Sequence, residues 1–293
     1  MAQIYGQRLS SDFAARVAPL GCPWEEDLFL ALTASFVSAS IAGIATAEVL
    51  HGNTFKVEHL TSPRVNLGTR GCEICDLLVI SHHAATRSVR ATFLQAKRDS
   101  SATCPGKFDA NAVQWSLLHT RAPLTGAARS FKPPPPPDLL QAALLPSIGS
   151  FGVFYRAPTG YDMWYGSADL IDLVSPPVIR KKQPSGVARY VGGQGVRVQR
   201  GGSDVPYANS LLEFGDHLSD GEIGSPQDIR RPDGRWLAGR LTALVNTGSV
   251  LAPGALRALT GGSAGVGASE PAPTTGGPTT LIVRCEGAPR TRG

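Results

Sequence analysis

Three polar residues of this sequence, Asp76, Gln95 and Lys97, have the types and spacing of a site for phosphodiester chemistry. Asp76 begins an apolar run, and Gln95 and Lys97 lie on the next such run. Because the side chains of a strand alternate between its two faces, Gln95 and Lys97 are predicted to point the same way. A hairpin of the two runs would bring Asp76 beside them, so that a carboxylate, an amide and an ammonium share one small patch.

This set of groups is suited to hydrolysis with a divalent metal ion. Mg²⁺ prefers hard oxygen ligands, and Asp76 offers a charged oxygen while Gln95 offers a neutral one. A bound Mg²⁺ or Mn²⁺ would activate a water and stabilise charge on the phosphate. Lys97 would orient that water or hold the transition-state oxygens as a point charge. Glu25, on a preceding helix, is predicted to complete the metal shell, with Glu26 as the alternative.

The hydrophobic pattern supplies the elements that must position these residues. A helix is predicted to follow Pro23, because Glu25 and Glu26 favour a first helical turn and apolar residues then recur at helical spacing. Three strands and a second helix are predicted at Thr54–Leu60, Cys75–Ile80, Val89–Arg98 and Asp109–Thr120. Residues 24–120 are therefore predicted to form a helix, three strands and a helix.

This succession resembles the PD-(D/E)XK nuclease superfamily, whose restriction-endonuclease-like core is a helix, three antiparallel strands, a helix and a strand. The resemblance covers residues 24–120. It implies an α/β fold class with a mixed central sheet flanked by helices. Additional C-terminal α+β elements and a flexible tail are predicted to follow this core.

The resemblance also assigns roles to individual residues. Glu25 takes the place of the acidic residue on the first helix, and Asp76 that of the strand aspartate. Gln95 and Lys97 take the place of the acid-x-Lys pair. The implied metal ligands are Asp76, Gln95 and Glu25. Gln114, on the helix after the third strand, matches a position where many members carry a glutamine near the site.

The chain departs from the family pattern in two places. Cys75 stands where the motif has proline, and Gln95 replaces the usual Asp or Glu. Branches with Gln-x-Lys exist in the superfamily and can be active. A neutral ligand nevertheless lowers the charge that holds the metal. A second class of function therefore stays open, in which an inactive nuclease-fold protein acts as a nucleic-acid-binding or protein-interaction module.

Further residues are candidates for supporting roles. Glu58 is the runner-up for a place in the metal shell. Arg98 lies beside the predicted site, and Lys181 and Lys182 belong to a basic, glycine-rich stretch, so these three are predicted to contact nucleic acid. The expected partner is double-stranded DNA, and the resemblance suggests a role in defence against phage or other foreign DNA.

The cysteines allow one competing interpretation. Cys72 and Cys75, with Cys104 downstream, have a spacing that invites a zinc site with a fourth ligand such as His82. The sequence contains no second pair at zinc-ribbon spacing. Ordinary thiols near a core strand are the favoured interpretation.

Composition divides the chain and limits the classes of protein. We predict an N-terminal lead-in at 1–23, a nuclease-like domain at 24–245 and a low-complexity tail at 246–293. Within the domain, the core motif spans 24–120, a Pro-rich connection 121–149 and an accessory part 150–245. The 293 residues are 42% hydrophobic with a net charge of +5, a mild surplus that favours an anionic partner. Neither a membrane span nor a signal peptide is predicted, so a cytoplasmic location is expected. The sequence leaves open a homo-oligomer or a partner subunit.

Overall fold

The computed structural model describes residues 2–39, 46–48, 56–83, 88–99, 107–126, 133–174, 177–180, 183–190, 198–200, 203–205, 207–246, 252–261 and 279–284. Within these ranges no helix has the length and apolar character needed to cross a membrane. Lys181, Lys182 and Cys104 lie outside the described residues.

The described part of the chain contains helices near its beginning and end and long runs of strands between them. Six α-helices, α1 to α6, span Ala2–Val17, Glu25–Ser38, Ala112–Thr120, Leu211–Ser219, Pro232–Asn246 and Ala252–Thr260. Sixteen strands, β1 to β16, span Thr46–Glu48, Lys56–Leu60, Thr69–Glu73, Leu77–His83, Ser88–Arg98, Lys107–Asn111, Leu124–Gly126, Gly149–Ala157, Gly160–Ser167, Ile171–Leu173, Val178–Arg180, Gln183–Tyr190, Val198–Arg200, Ser203–Val205, Ser225–Pro226 and Thr279–Arg284.

The largest sheet has the strand order β1-β16-β4-β5-β8-β9, with β15 added beside the first residues of β5. It is mixed, because β5 pairs antiparallel with β4 but parallel with β8, which follows after helix α3. A four-stranded sheet (β6, β10, β11 and β12), a three-stranded sheet (β3-β2-β7) and the β13-β14 hairpin complete the strand pairing. The fold class is therefore α/β, as the sequence predicted.

Helices cover both faces of the central sheet. On one face α1, α2 and α4 pack against Leu77, Val79, Leu94 and Ala96 in a single buried cluster. On the other face α3, α5 and α6 pack against residues of opposite parity, such as Leu78 and Phe93. The strands β4 and β5 lie between two apolar layers, which explains why both are continuous runs of buried residues.

The N-terminal segment corrects the first of our expectations. Residues 2–17 form helix α1 rather than a polar lead-in, and Tyr5, Leu9, Phe13 and Val17 are buried against α2, α4 and the sheet. These four residues recur at intervals of four, which places them on one side of the helix. Because the stripe is narrow and most of the remaining residues are polar or small, the mean hydropathy of the segment conceals it.

The C-terminal segment corrects a second expectation, that of a low-complexity tail. The prediction of a low-complexity tail over 246–293 does not hold for α6, whose Ala252, Ala255, Ala258 and Leu259 are buried. Nor does it hold for β16, which pairs antiparallel with β4 from Thr279 to Arg284 and lies between β4 and β1. A small apolar residue fills a helix interface as well as a large one does, so a composition of Gly, Ala and Thr does not exclude packing.

The strand predicted at Thr54–Leu60 corrects a third expectation, which concerns its place in the sheets. Residues 56–60 do form a strand, β2, but it pairs with β3 and β7 in the three-stranded sheet and not with the strand of Asp76. The place next to β4 in the central sheet is taken by β16. The alternating pattern of a strand fixes its exposed and buried faces but does not name its partner, which is decided by contacts distant in sequence.

Candidate functional site

The hairpin of β4 and β5 sets the position of Asp76. The two strands pair antiparallel from Leu77 opposite Leu94 to His83 opposite Ser88. The Asp76 backbone N–H donates to the Leu94 carbonyl at 3.0 Å, which extends the pairing by one residue and leaves Asp76 at the end of the strand. The prediction that the segments of Asp76 and Gln95 are adjacent antiparallel strands is confirmed.

The Asp76 carboxylate is buried and held by its neighbours on β5. Asp76 is only 6% exposed. Oδ2 accepts a hydrogen bond from the Ala96 backbone N–H at 2.7 Å and another from the Gln95 side-chain amide. A buried carboxylate needs such donors, because burial without partners costs several kcal/mol.

Gln114 continues this arrangement from the helix layer. It lies in the first turn of α3, where the Asn111 side chain accepts from the Gln114 N–H at 3.3 Å. Gln114 Nε2 donates to Gln95 Oε1 at 2.8 Å and to the Glu73 carbonyl at 3.1 Å. We call the linked groups of Glu73, Gln114, Gln95 and Asp76 the amide relay.

The amide relay has a direction. A backbone carbonyl only accepts hydrogen bonds, so the Glu73 carbonyl fixes which end of the Gln114 amide is nitrogen. Gln95 therefore turns Oε1 toward Gln114 and Nε2 toward Asp76. Gln95 is 2% exposed and Gln114 is 7% exposed, so water does not compete for either amide.

The remaining pair lies at the edge of the cluster. Lys97 Nζ lies 3.0 Å from Glu25 Oε1, and the Arg98 backbone N–H donates to Glu25 Oε2 at 3.1 Å. The Lys97 side chain is 13% exposed and that of Glu25 is 44% exposed. Glu25 is the first residue of α2, and from the layer of that helix it reaches the end of β5. We call Glu25 and Lys97 the rim pair.

Among the other candidates, the structure separates Glu58 from this cluster. Glu58 lies on β2, in the three-stranded sheet, with its side chain exposed. Arg98 lies at the rim, where its guanidinium Nη2 is 3.2 Å from the Tyr161 hydroxyl and 3.7 Å from Cys22 Sγ. Glu26 is exposed. Glu25 is thus the carboxylate of α2 that reaches Lys97.

The competing zinc interpretation has little support in the described residues. Burial raises the pKa of the Cys72 thiol to about 12, and the nearby Glu73 carboxylate raises it further, so the thiol is protonated at neutral pH in the metal-free protein. Cys75 is buried in the core. Across the described ranges, no group of three or more His, Cys, Asp or Glu side chains is placed to hold a metal ion.

The donor set of the cluster fits Mg²⁺ in part. Asp76 and Glu25 are carboxylates, the hard oxygen ligands that Mg²⁺ prefers. Gln95 would serve as a ligand only with Oε1 turned toward Asp76, and in the structure Nε2 occupies that side. A cation beside Asp76 favours the turned amide, whereas Gln114 and the Glu73 carbonyl favour the observed one.

Sequence reasoning missed two groups of this region. The Glu73 carbonyl orients the amide relay, and a backbone group carries no sequence signal. Trp24 precedes α2 and is 68% exposed beside Glu25. Its signal was a large aromatic residue immediately before a predicted helix start that also carries a site residue.

Comparisons with known proteins add no relative to this description. A scan against family models, a search of curated proteins and a search of solved structures each found no match. The function is therefore inferred from the contacts of the described residues.

Proposed function

We propose that this protein is a metal-dependent nuclease that hydrolyses phosphodiester bonds of DNA. One observation carries the proposal: four residues from three separate elements lie at one end of the central sheet, namely Glu25, Asp76, Gln95 and Lys97. A carboxylate, an amide and a lysine on adjacent strands, with a second carboxylate beside the lysine, are groups that can hold a metal ion and a phosphate oxygen in metal-assisted phosphoryl transfer.

The arrangement of elements supports the finer fold assignment, a restriction-endonuclease-like core. Helix α2, the β4-β5 hairpin, helix α3 and then β8, parallel to β5, follow one another in the expected order. Two differences accompany this likeness. Strand β2 lies outside the central sheet, and β16 is inserted beside β4.

In this proposal the side chains divide into metal ligands and a lysine that binds the phosphate. Asp76 and Glu25 would hold Mg²⁺ or Mn²⁺, and Gln95 would join them after its amide turns. The ion, when bound, supplies an activated water and positive charge at the phosphate. Lys97 leaves β5 on the same side as Gln95, and its ammonium lies 3.0 Å from Glu25 Oε1. Beside an ion held by that carboxylate it would hold a phosphate oxygen as negative charge develops.

The direct test is cleavage of plasmid and single-stranded DNA with Mg²⁺ or Mn²⁺, comparing wild type with Lys97→Ala. We expect the variant to lose at least about a hundredfold in rate, the usual effect of removing one group that stabilises transition-state charge. The matched control is Lys107→Ala, which removes an exposed lysine from β6 and leaves the rate unchanged. Equal rates for Lys97→Ala and wild type would remove Lys97 from the mechanism.

A second function is favoured by the direction of the amide relay. The Asp76 carboxylate already accepts hydrogen bonds from Gln95 and Ala96, so its burial is compensated without a metal ion. A protein that kept this core for stability alone would bind nucleic acid or a protein partner and cleave nothing. This is the second class of function, the inactive nuclease-fold module, which the glutamine at position 95 leaves possible.

Gln95→Glu distinguishes the two functions by the sign of its effect. In a metal site the added carboxylate raises affinity for Mg²⁺, and Mg²⁺ then raises the melting temperature of the variant more than that of wild type. In an inactive core the new carboxylate faces Asp76, and the like charges lower the melting temperature whether or not Mg²⁺ is present. Thermal unfolding of both proteins with EDTA and with Mg²⁺ measures the difference.

A further inference from the structure

Trp24 is the exposed tryptophan of the described residues. It is 68% exposed, whereas Trp115, Trp164 and Trp236 are between 1% and 5% exposed. It directly precedes Glu25, the carboxylate of the rim pair. Its indole therefore lies on the surface within one residue of the candidate site.

The backbone of Trp24 is held on both sides. Before it, Cys22 Sγ lies 3.7 Å from Arg98 Nη2, and after it, Glu25 Oε2 accepts from the Arg98 N–H at 3.1 Å. The Trp24 N–H itself donates to Asp27 Oδ2 at 2.9 Å. The backbone that carries the ring is thus tied to the candidate site, and the 68% exposed ring is open to a partner.

Positive charge lies on the neighbouring part of the rim. Arg98 packs over the Tyr161 ring, with its guanidinium carbon 5.8 Å from the ring centroid. Arg156 is the cross-strand partner of Tyr161, so it shares that face of the sheet, and it is exposed. The first turn of α2 carries three acids. Glu25 pairs with Lys97 and Asp27 accepts from the Trp24 N–H, so Glu26 is the acid of this turn that the two arginines have to offset.

We infer that Trp24 is a stacking platform for an unpaired base of single-stranded nucleic acid, with Arg98 and Arg156 contacting the flanking phosphates. An aromatic ring beside cationic side chains is how proteins bind single strands with little sequence preference. A closed duplex offers no base face except at its ends, since its bases stack on one another. This inference rests on the proposed function and narrows its substrate to a strand that is single or opened at the site.

The test measures binding in EDTA, so that cleavage plays no part. Fluorescence anisotropy follows labelled (dT)12, (rU)12 and a blunt-ended DNA duplex. Quenching of tryptophan emission provides a second signal, because Trp24 is exposed to an added strand whereas the other three tryptophans are buried. We expect (dT)12 or (rU)12 to quench this emission and to bind more tightly than the duplex. Trp24→Ala should weaken strand binding about tenfold or more, and Trp24→Phe should retain most of it.

The matched control is Leu30→Ala, which removes a 41% exposed apolar side chain from the same helix and leaves strand binding unchanged. Arg98→Gln and Arg156→Gln should each reduce the slope of log affinity against log salt by about 0.7. Strand binding that is unchanged in Trp24→Ala, or absent in wild type, overturns the inference. A loss of self-association in Trp24→Ala, with strand binding unchanged, would instead identify a protein interface.

The two proposals fail separately. Cleavage of DNA in Mg²⁺ by wild type and Trp24→Ala at equal rates, with equal strand binding, rejects the stacking platform and leaves the nuclease in place. Strand binding through Trp24 without cleavage in Mg²⁺ or Mn²⁺ rejects the nuclease and supports the platform on a binding protein.

Discussion

The amide relay and His59 are two regions where polar side chains are deeply buried, but they differ in whether those side chains are hydrogen-bonded. In the relay, Asp76, Gln95 and Gln114 are between 2% and 7% exposed, and each makes a side-chain hydrogen bond. His59, on β2, is 2% exposed, and neither ring nitrogen has a hydrogen-bond partner among the described residues.

The difference shows two ways in which a fold accommodates a buried polar group. Burial lowers the pKa of His59 from 6.5 to about 4, so the ring is neutral at pH 7 and packs like an apolar side chain. Asp76 instead has donors directed at its carboxylate from Gln95 and from the backbone of Ala96. Such an organised set of donors is the kind of environment in which a carboxylate can be kept for chemistry.

Breaking the relay should give the largest effect on stability. Asp76→Ala leaves two buried donors, Gln95 Nε2 and the Ala96 N–H, without an acceptor, and each costs about 1–3 kcal/mol. We expect the free energy of unfolding, measured in urea, to fall by about 3 kcal/mol. Asp109→Ala, at an exposed position on β6, should change it by less than about 0.5 kcal/mol. A fall no larger than that of the control would mean that the relay does not stabilise the core.

The second effect tests His59 through pH. Because its folded-state pKa is below the unfolded value, unfolding takes up a proton between pH 6.5 and 4, and the folded state loses stability as pH falls through this window. Between pH 7.5 and 4.5 the loss from this residue should be about 2.5 kcal/mol. His59→Leu cannot titrate, so its urea stability should fall by that much less than wild type. Parallel pH profiles would show that the pKa of His59 is the same in the folded and unfolded states, which would contradict the effect of burial.

The sequence predicted the parts of this comparison that depend on local pattern. Alternation on two apolar runs placed Asp76 against Gln95, and helical spacing placed Gln114 on a helix that returns to them. The place of β2 in the sheets was implied only by the family resemblance and differs in the structure, because strand pairing depends on residues far away in the chain, such as Thr279–Arg284 of β16. His59 was not recognised as buried for the same reason.

The orientation of Gln95 was also beyond sequence reasoning. Whether its oxygen or its nitrogen faces Asp76 depends on backbone acceptors: the Glu73 carbonyl, which acts through Gln114, and the Ala96 carbonyl, to which Gln95 Nε2 donates at 3.3 Å. Residue types suggest which groups meet, but the direction of each hydrogen bond follows from the three-dimensional arrangement of donors and acceptors. Whether Gln95 acts as a metal ligand or as a hydrogen-bond donor to Asp76 is therefore tested by the Gln95→Glu variant.

The smallest effect concerns the rim pair, which sharpens the comparison because it belongs to the same site as the relay but is reached by water. Glu25 is 44% exposed, and its ion pair with Lys97 at 3.0 Å is screened by solvent, so the pair should be worth about 0.5–1 kcal/mol. A double-mutant cycle with Glu25→Gln and Lys97→Met, read by urea denaturation, measures this coupling, and 1 M NaCl should reduce it. The exposed pair of Asp12 and Arg16 on α1 is the control, with about 0.3–0.5 kcal/mol expected. A rim-pair coupling above about 2 kcal/mol would show that the pair is as desolvated as the relay, and the contrast between the buried relay and the solvent-screened rim pair would then fail.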